Sequence, residues 1–150
     1  MISVSGIRGR VGFGLEPAVV ANHAAAFGAW ARGRAPGRPV VLGRDSRVSG
    51  PMFHAVAQAA LHAVGADVVD LDLTTTPTLQ MAVEHHRAAG GLMISASHNP
   101  IEWNALKFVG SDGLFLSAAA GAEVRGLLDA GVPYATWDAL GSSRPDAAAV

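Results

Sequence analysis

Short apolar runs recur along the chain, each closed by a polar or glycine-rich segment and followed by an apolar pattern of helical period. Ile2, Val4 and Ile7 predict an opening strand that runs into the turn Gly9-Arg10-Val11-Gly12. Pro17 suits the first turn of a helix, and Val19, Val20, His23, Ala24, Phe27 and Trp30 continue it on one face until Arg32-Gly33-Arg34-Ala35-Pro36-Gly37 stops it. Pro39-Val40-Val41-Leu42-Gly43 is a short buried strand that releases the polar loop Arg44-Asp45-Ser46-Arg47-Val48-Ser49-Gly50. A second helix runs from about Pro51 to Val64 with Phe53, Val56, Ala60 and Leu61 inward, and Gly65 closes it. A third strand covers 66–71, a third helix runs from Thr78 to about Arg87, and a fourth strand leads from Leu92 to Ser95.

Strands that alternate with helices at this spacing define an α/β class with a largely parallel sheet. Strands that are apolar throughout are buried on both faces, so helices pack on both sides. Further on, 105–109 and 114–116 flank Gly110-Ser111-Asp112-Gly113, a hairpin signal. The last helix spans Ala118 to Leu128, with Val124, Leu127 and Leu128 on one face and Ser117 as its N-cap. The pattern breaks down from Gly131, and Gly141-Ser142-Ser143-Arg144-Pro145-Asp146 reads as linker. The expected organisation is therefore one domain over 1–130 and a linker-like tail over 131–150.

Composition narrows the function classes. The 150 residues suffice for one domain with a real core, and an apolar half argues against disorder. A formal charge of −1 offers no basic field for nucleic acid. With no cysteine, disulfides and thiolate metal sites are out. No apolar run has the length of a membrane span, and 1–8 lacks the pattern of a signal peptide, so a cytoplasmic protein is expected. The many alanines are assigned to surface and helix positions.

The candidate chemistry gathers around Ile94-Ser95-Ala96-Ser97-His98-Asn99-Pro100, where a buried strand stops and presents a serine, a histidine and an asparagine on a tight loop. The same residues also make an ordinary polar turn. In an open parallel sheet, ligands gather at the carboxyl ends of the strands. Three clusters fall there or close by: Arg8 between Gly6 and Gly9, the 44–47 loop, and the Ser97 loop with Asn104 and Lys107. An alcohol, several guanidinium groups, an ammonium and loop amides suit a phosphate. Each has a plainer reading. Arg8 serves equally as a surface charge, Arg44 and Asp45 as a structural ion pair, Lys107 as a water-facing strand residue, and His98 as a prop for the loop. His23, His54, His62, His85 and His86 lie on predicted helices without the i, i+4 spacing of a metal site and read as packing or surface residues.

Together these residues resemble the α-D-phosphohexomutase family, which comprises phosphoglucomutases, phosphomannomutases and phosphoglucosamine mutases. The family's N-terminal domain carries Gly-Ile-Arg-Gly, here Gly6-Ile7-Arg8-Gly9, and Gly-Arg-Asp-Thr/Ser-Arg, here Gly43-Arg44-Asp45-Ser46-Arg47. Its signature Thr/Ser-x-Ser-His-Asn-Pro is matched by Ser95-Ala96-Ser97-His98-Asn99-Pro100, and its Asn-Gly-x-Lys by Asn104-Ala105-Leu106-Lys107. The match covers about residues 1–130. Ala105 departs from the usual glycine. The Ser-Ala-Ser form followed by Ile101-Glu102-Trp103-Asn104 looks most like the phosphoglucosamine mutase branch.

The resemblance implies a three-layer α/β/α sandwich with a mostly parallel mixed sheet, of the family's domain I type. It implies that Ser97 is the phosphorylated serine, whose phosphate is also one ligand of a catalytic Mg²⁺. Arg8 and Lys107 then assist proton transfer and hold the transferring phosphate, Lys107 as general acid/base or as a fixed charge. His98 has a positioning role in the active site. Arg44, Asp45 and Arg47 support the site from behind, with Asn99 and Asn104 binding or supporting beside them. The implied reaction moves phosphate between C1 and C6 of a hexose phosphate through a bisphosphorylated sugar. The family's Asp-x-Asp-x-Asp metal loop, sugar-reading loop and distal phosphate clamp belong to further domains, and Asp67, Asp70 and Asp72 do not match the metal loop. The expectation is a first domain that is inactive alone and has the rest of the enzyme as partner. The alternatives are a non-catalytic phospho-sugar-binding or assembly module of the same fold and a nucleotide-binding domain, the latter opposed by the lack of G-x-G-x-x-G after a strand.

Overall fold

A computed structural model describes residues 2, 3 and 5–146. Eight strands form one sheet in the order β1-β2-β7-β6-β4-β5-β8, with β3 beside β2. In chain order the elements are β1 (Ile2–Ser3), β2 (Gly6–Val11), β3 (Gly14–Leu15), α1 (Pro17–Arg34), β4 (Val40–Arg44), α2 (Gly50–Ala63), β5 (Val68–Leu73) and α3 (Thr76–His85). There follow β6 (Gly90–Ile94), β7 (Trp103–Gly110), α4 (Ala118–Ala130), a 3-10 turn (Trp137–Ala139) and β8 (Ser143–Pro145). β4, β5, β6 and β8 pair in parallel, while β7 runs antiparallel to both β6 and β2. The sheet is thus mixed, with only β1 and β7 running against the common direction.

Alternation along each strand separates two cores. Leu42, Val68, Leu92, Ile94, Leu106 and Phe108 pack with Phe27, Phe53 and Leu61 of α1 and α2. Val41, Val69, Met93 and Val109 point the other way, onto Leu79, Ala82 and Val83 of α3. Side chains on successive residues take opposite faces, so this division is the three-layer sandwich itself, with α4 joining α1 on the first face. The alanines of α1 are not a surface feature: Ala24, Ala25, Ala26 and Ala31 are buried. They let α1 approach α2 closely, and a Cβ at Gly28 would come within 2.8 Å of Leu61. Arg32 and Arg34 in the last turn of α1 complement its dipole.

Four departures from the sequence-based expectation have physical causes. The opening strand is a hairpin of β1 and β2, with Val4 outside the described residues. Gly9-Arg10-Val11 stay in β2, and the turn falls at Gly12 and Gly14, the residues with positive φ (83° and 106°). The 114–116 segment forms no strand and touches β7 through a single bridge, Val109 with Phe115. The tail, expected as linker, returns to the sheet: β8 pairs with β5, Ser142 N donates to Asp67, and His86 meets Asp146 at 2.9 Å. Its strand residues are all exposed, so no alternation of apolar and polar positions announces it. Residues 147–150 lie outside the described residues.

Candidate active site

The site lies where β2, β6 and β7 run side by side. Gly6 is opposite Lys107 and Arg8 is opposite Ala105, which puts Arg8 and Lys107 on one face of the sheet. A side chain at Gly6 would overlap the Leu106 carbonyl oxygen. The glycine therefore allows the close approach that brings the two cations together. Beyond β6 the ladder continues for one more bond, Ser95 N to Ala105 O, and the chain then turns away. Ser97 sits on this turn with φ of 55°, a left-handed backbone that serine rarely adopts.

Ser97 is exposed and held from three directions. Its N–H donates to Ser95 Oγ at 3.2 Å. Lys107 Nζ donates to its Oγ at 2.6 Å. Arg47 Nη2 donates to its carbonyl at 2.8 Å. Arg47 also donates to the carbonyls of Asn99 (2.7 Å), Pro100 (2.7 Å) and Trp103 (3.1 Å), so one guanidinium closes the whole 97–103 loop. Burial holds the Lys107 ammonium below its ordinary pKa of 10.5; Arg8 and Arg47 add to this, and Asp45 opposes them.

The expected ion pair between Arg44 and Asp45 is replaced by two others. Asp45 faces Arg47, with Oδ2 3.5 Å from Nε and Oδ1 accepting the Arg47 N–H at 3.1 Å. Arg44 reaches across the parallel pair β4–β5 to Asp72, at 3.1 Å. Only its backbone-directed bond, Nη1 to the Asp45 carbonyl, joins it to its neighbour. Asn104 is fully buried beneath the site: Nδ2 donates to Ser49 Oγ at 2.8 Å and Oδ1 accepts the Ala105 N–H. Ala105 fits here with its side chain buried, so the departure from glycine leaves the strand intact.

The structure thus brings Arg8, Arg47, Ser97, Asn104 and Lys107 into one neighbourhood, with Arg44 and Asp45 behind. Among the described residues, His98, which is exposed, makes no hydrogen bond, and Asn99 takes part through its backbone alone. The remaining histidines include paired ones: His54 meets Asp70 at 2.8 Å and His86 meets Asp146. Sequence reasoning missed Ser49, Ser95 and Asp72 as supports. Ser49 stands at the N-cap position of α2, yet its side chain caps nothing and serves Asn104. Among the described residues, no three His, Asp or Glu side chains converge as a metal site would require.

An exposed serine under an ammonium, with further guanidinium charge beside it, is an arrangement for handling a phosphoryl group. Residues 2–133 match the family described as phosphoglucomutase/phosphomannomutase, alpha/beta/alpha domain I. The chain belongs to this family. A probable phosphoglucosamine mutase of Methanopyrus kandleri is 38% identical over 146 residues, covering 97% of this chain and 31% of that protein. The phosphoglucosamine mutase of Synechococcus sp. is 48% identical over 113 residues, covering 75% and 24%. Among solved structures, a phosphoglucomutase/phosphomannomutase family protein from Burkholderia thailandensis superposes with a TM-score of 0.80 at 28% identity, covering 97% and 33%. The chain therefore spans 24–33% of the length of these phosphohexomutase relatives. No helix among the described residues is long and apolar enough to cross a membrane.

Proposed function

We propose that this chain is the nucleophile-bearing first domain of a phosphohexomutase and that Ser97 carries the phosphoryl group. The observation that carries the reading is the 2.6 Å contact between Lys107 Nζ and Ser97 Oγ on a left-handed loop residue. In the forward step the bond from phosphorus to Ser97 Oγ breaks and one to a free sugar hydroxyl forms. Lys107 delivers a proton to Oγ as the bond breaks and takes it back when the phosphoryl group returns, while the proton of the attacking sugar hydroxyl passes to solvent and one is regained by the sugar oxygen freed in the return step. Arg8, on the same face, balances charge on the phosphoryl oxygens. The intermediate is a bisphosphorylated sugar, and the net result is phosphate moved between C1 and C6. The substrate class we assign is a hexose phosphate, with glucosamine phosphate favoured because relatives 48% and 47% identical to this chain are named phosphoglucosamine mutases.

The donor set fits Mg²⁺ only through phosphate. Asp45 offers both its oxygens to Arg47, and cationic donors surround Ser97. A phosphate on Ser97 would supply one ligand, and the remaining ligands would come from the rest of the polypeptide. When bound, the ion neutralises charge on the transferring group.

The test is mass spectrometry on the polypeptide that carries this domain, after exposure to a hexose 1,6-bisphosphate. Phosphate is expected on Ser97, and its absence or a different site would overturn the reading. Residues 1–150 alone are expected to show no Mg²⁺-dependent mutase turnover.

A further inference from the structure

Arg47 belongs to a cluster of basic residues beside a candidate phosphate site, which invites its assignment as a phosphate ligand. Its geometry argues otherwise. A guanidinium has five N–H donors. Nη1 points at the carbonyls of Pro100 and Trp103, and Nη2 at those of Ser97 and Asn99. Nε faces Asp45 Oδ2. Four of the five donors are therefore spent on loop carbonyls, and the fifth faces the carboxylate that balances the charge. The side chain is mostly buried, at 11% exposure.

We propose that Arg47 is a positioning residue that fixes the left-handed backbone of Ser97, aims its hydroxyl at Lys107, and contacts no ligand phosphate. The 97–103 loop has few anchors of its own. Asn99 N donates to Ala96 O, Trp103 N donates to Pro100 O, Ser97 N reaches Ser95 Oγ, and β2 holds the far end through Val11 N donating to Glu102 O at 2.8 Å. His98, Pro100, Ile101 and Glu102 are exposed, so hydrophobic burial does not order the loop. Four carbonyls gathered on one rigid fork do so instead. A lysine supplies the charge but only three donors on a point centre, so it cannot hold four carbonyls in this plane. The consequence for transfer rests on the function proposed above, whereas the effect on the loop does not.

The test uses isotope-labelled 1–150 in solution. In Arg47→Lys, the amide signals of 97–103 are expected to shift and broaden. The one-bond Cα–Hα coupling of Ser97, which reports the sign of φ, should leave its left-handed value. Core amides such as Val41 and Phe27 should stay in place. In Arg47→Ala, added guanidinium ion should return the loop signals towards wild type, while methylammonium should not. Inorganic phosphate should perturb Ser97, Lys107 and Arg8 in wild type and still reach Lys107 and Arg8 in Arg47→Lys. A wild-type loop in Arg47→Lys, equal rescue by both cations, or loss of the phosphate response at Lys107 and Arg8 in that variant alone would each overturn the proposal. If Arg47→Ala does not fold, Arg47→Lys decides alone. If phosphate leaves even the wild type unperturbed, the phosphate site fails, while the coupling of Ser97 still judges Arg47.

Discussion

Lys107 Nζ lies 2.6 Å from Ser97 Oγ, and the same lysine is the described group whose ammonium burial and Arg8 together disfavour. A phosphate on Ser97 would reverse that balance, because a dianion in contact with the ammonium favours its charged form. The titration midpoint of Lys107, followed through its Cε resonance, is expected below 10.5 in 1–150. In Ser97→Glu it should move upward. Stability follows with a definite sign. Between the lowered folded-state pKa and the unfolded value, the unfolded chain binds more protons, so this group makes the fold more stable as pH rises through that window. Lys107→Met should lose that alkaline gain. An unchanged midpoint in Ser97→Glu would mean that Lys107 does not sense charge at Ser97.

Asn104 illustrates a different dependence. It is fully buried, and both ends of its amide are used, one on Ser49 and one on the Ala105 N–H. Asn104→Leu leaves the Ser49 hydroxyl and that N–H without these partners, and the loss is expected to be about 1–3 kcal/mol by denaturant unfolding. Ser49→Ala should cost less. The double variant should fall short of the sum, because the two residues share one bond. Additive losses would show that the bond contributes nothing beyond packing.

The glycines separate fold from site in a similar way. Gly6 has φ of 154°, and a side chain there would overlap the Leu106 carbonyl. Gly126, within α4, has nothing within 4 Å of the Cβ position. Gly6→Ala is expected to cost at least about 1–3 kcal/mol from backbone strain. Gly126→Ala should gain roughly 0.5–1 kcal/mol from helix propensity. At this chain length each kcal/mol moves the melting temperature by about 2–4 °C, so thermal scans resolve the opposite signs.

The βα rhythm and the loops that carry the site were legible because they depend on local signals. Val40-Val41-Leu42, Phe53 and Leu61, or Leu92 to Ile94 declare themselves by apolar runs and helical spacing, and the polar residues that follow each run fall at strand ends. Partner choice was not legible. Arg44 and Asp45 are adjacent in sequence, yet Arg44 turns to Asp72 on the neighbouring strand, which a register shift at Leu42/Gly43 sets opposite Gly43. The hidden role of Ser49 failed for the same reason: its partner, Asn104, lies 55 residues away. The family signature located Ser97, but it did not reveal that one arginine ties four carbonyls of its loop.

The exit of the chain gives the remaining prediction. The sequence pattern fades near residue 130, and the family match ends at 133. The sheet extends further, since β8 covers the edge of β5 with parallel pairing at Val68, Val69 and Asp70. Side chains add to the seal: His62 meets Ser143 Oγ at 2.7 Å, and His86 meets Asp146, whose side chain is only 4% exposed. A chain ending at 130 would leave the backbone donors and acceptors of β5 open beside the exposed Leu73, and an open edge invites pairing with another copy. Residues 1–130 should therefore melt below 1–146 and associate with rising concentration in light scattering, while 1–146 stays monomeric at the same concentrations. Equal melting and equal scattering would show that β8 is dispensable and that the domain does end at the helix. Should 1–130 melt lower yet remain monomeric, the strand would contribute stability through its own hydrogen bonds and the two histidine contacts, and protection of the edge would not be its role.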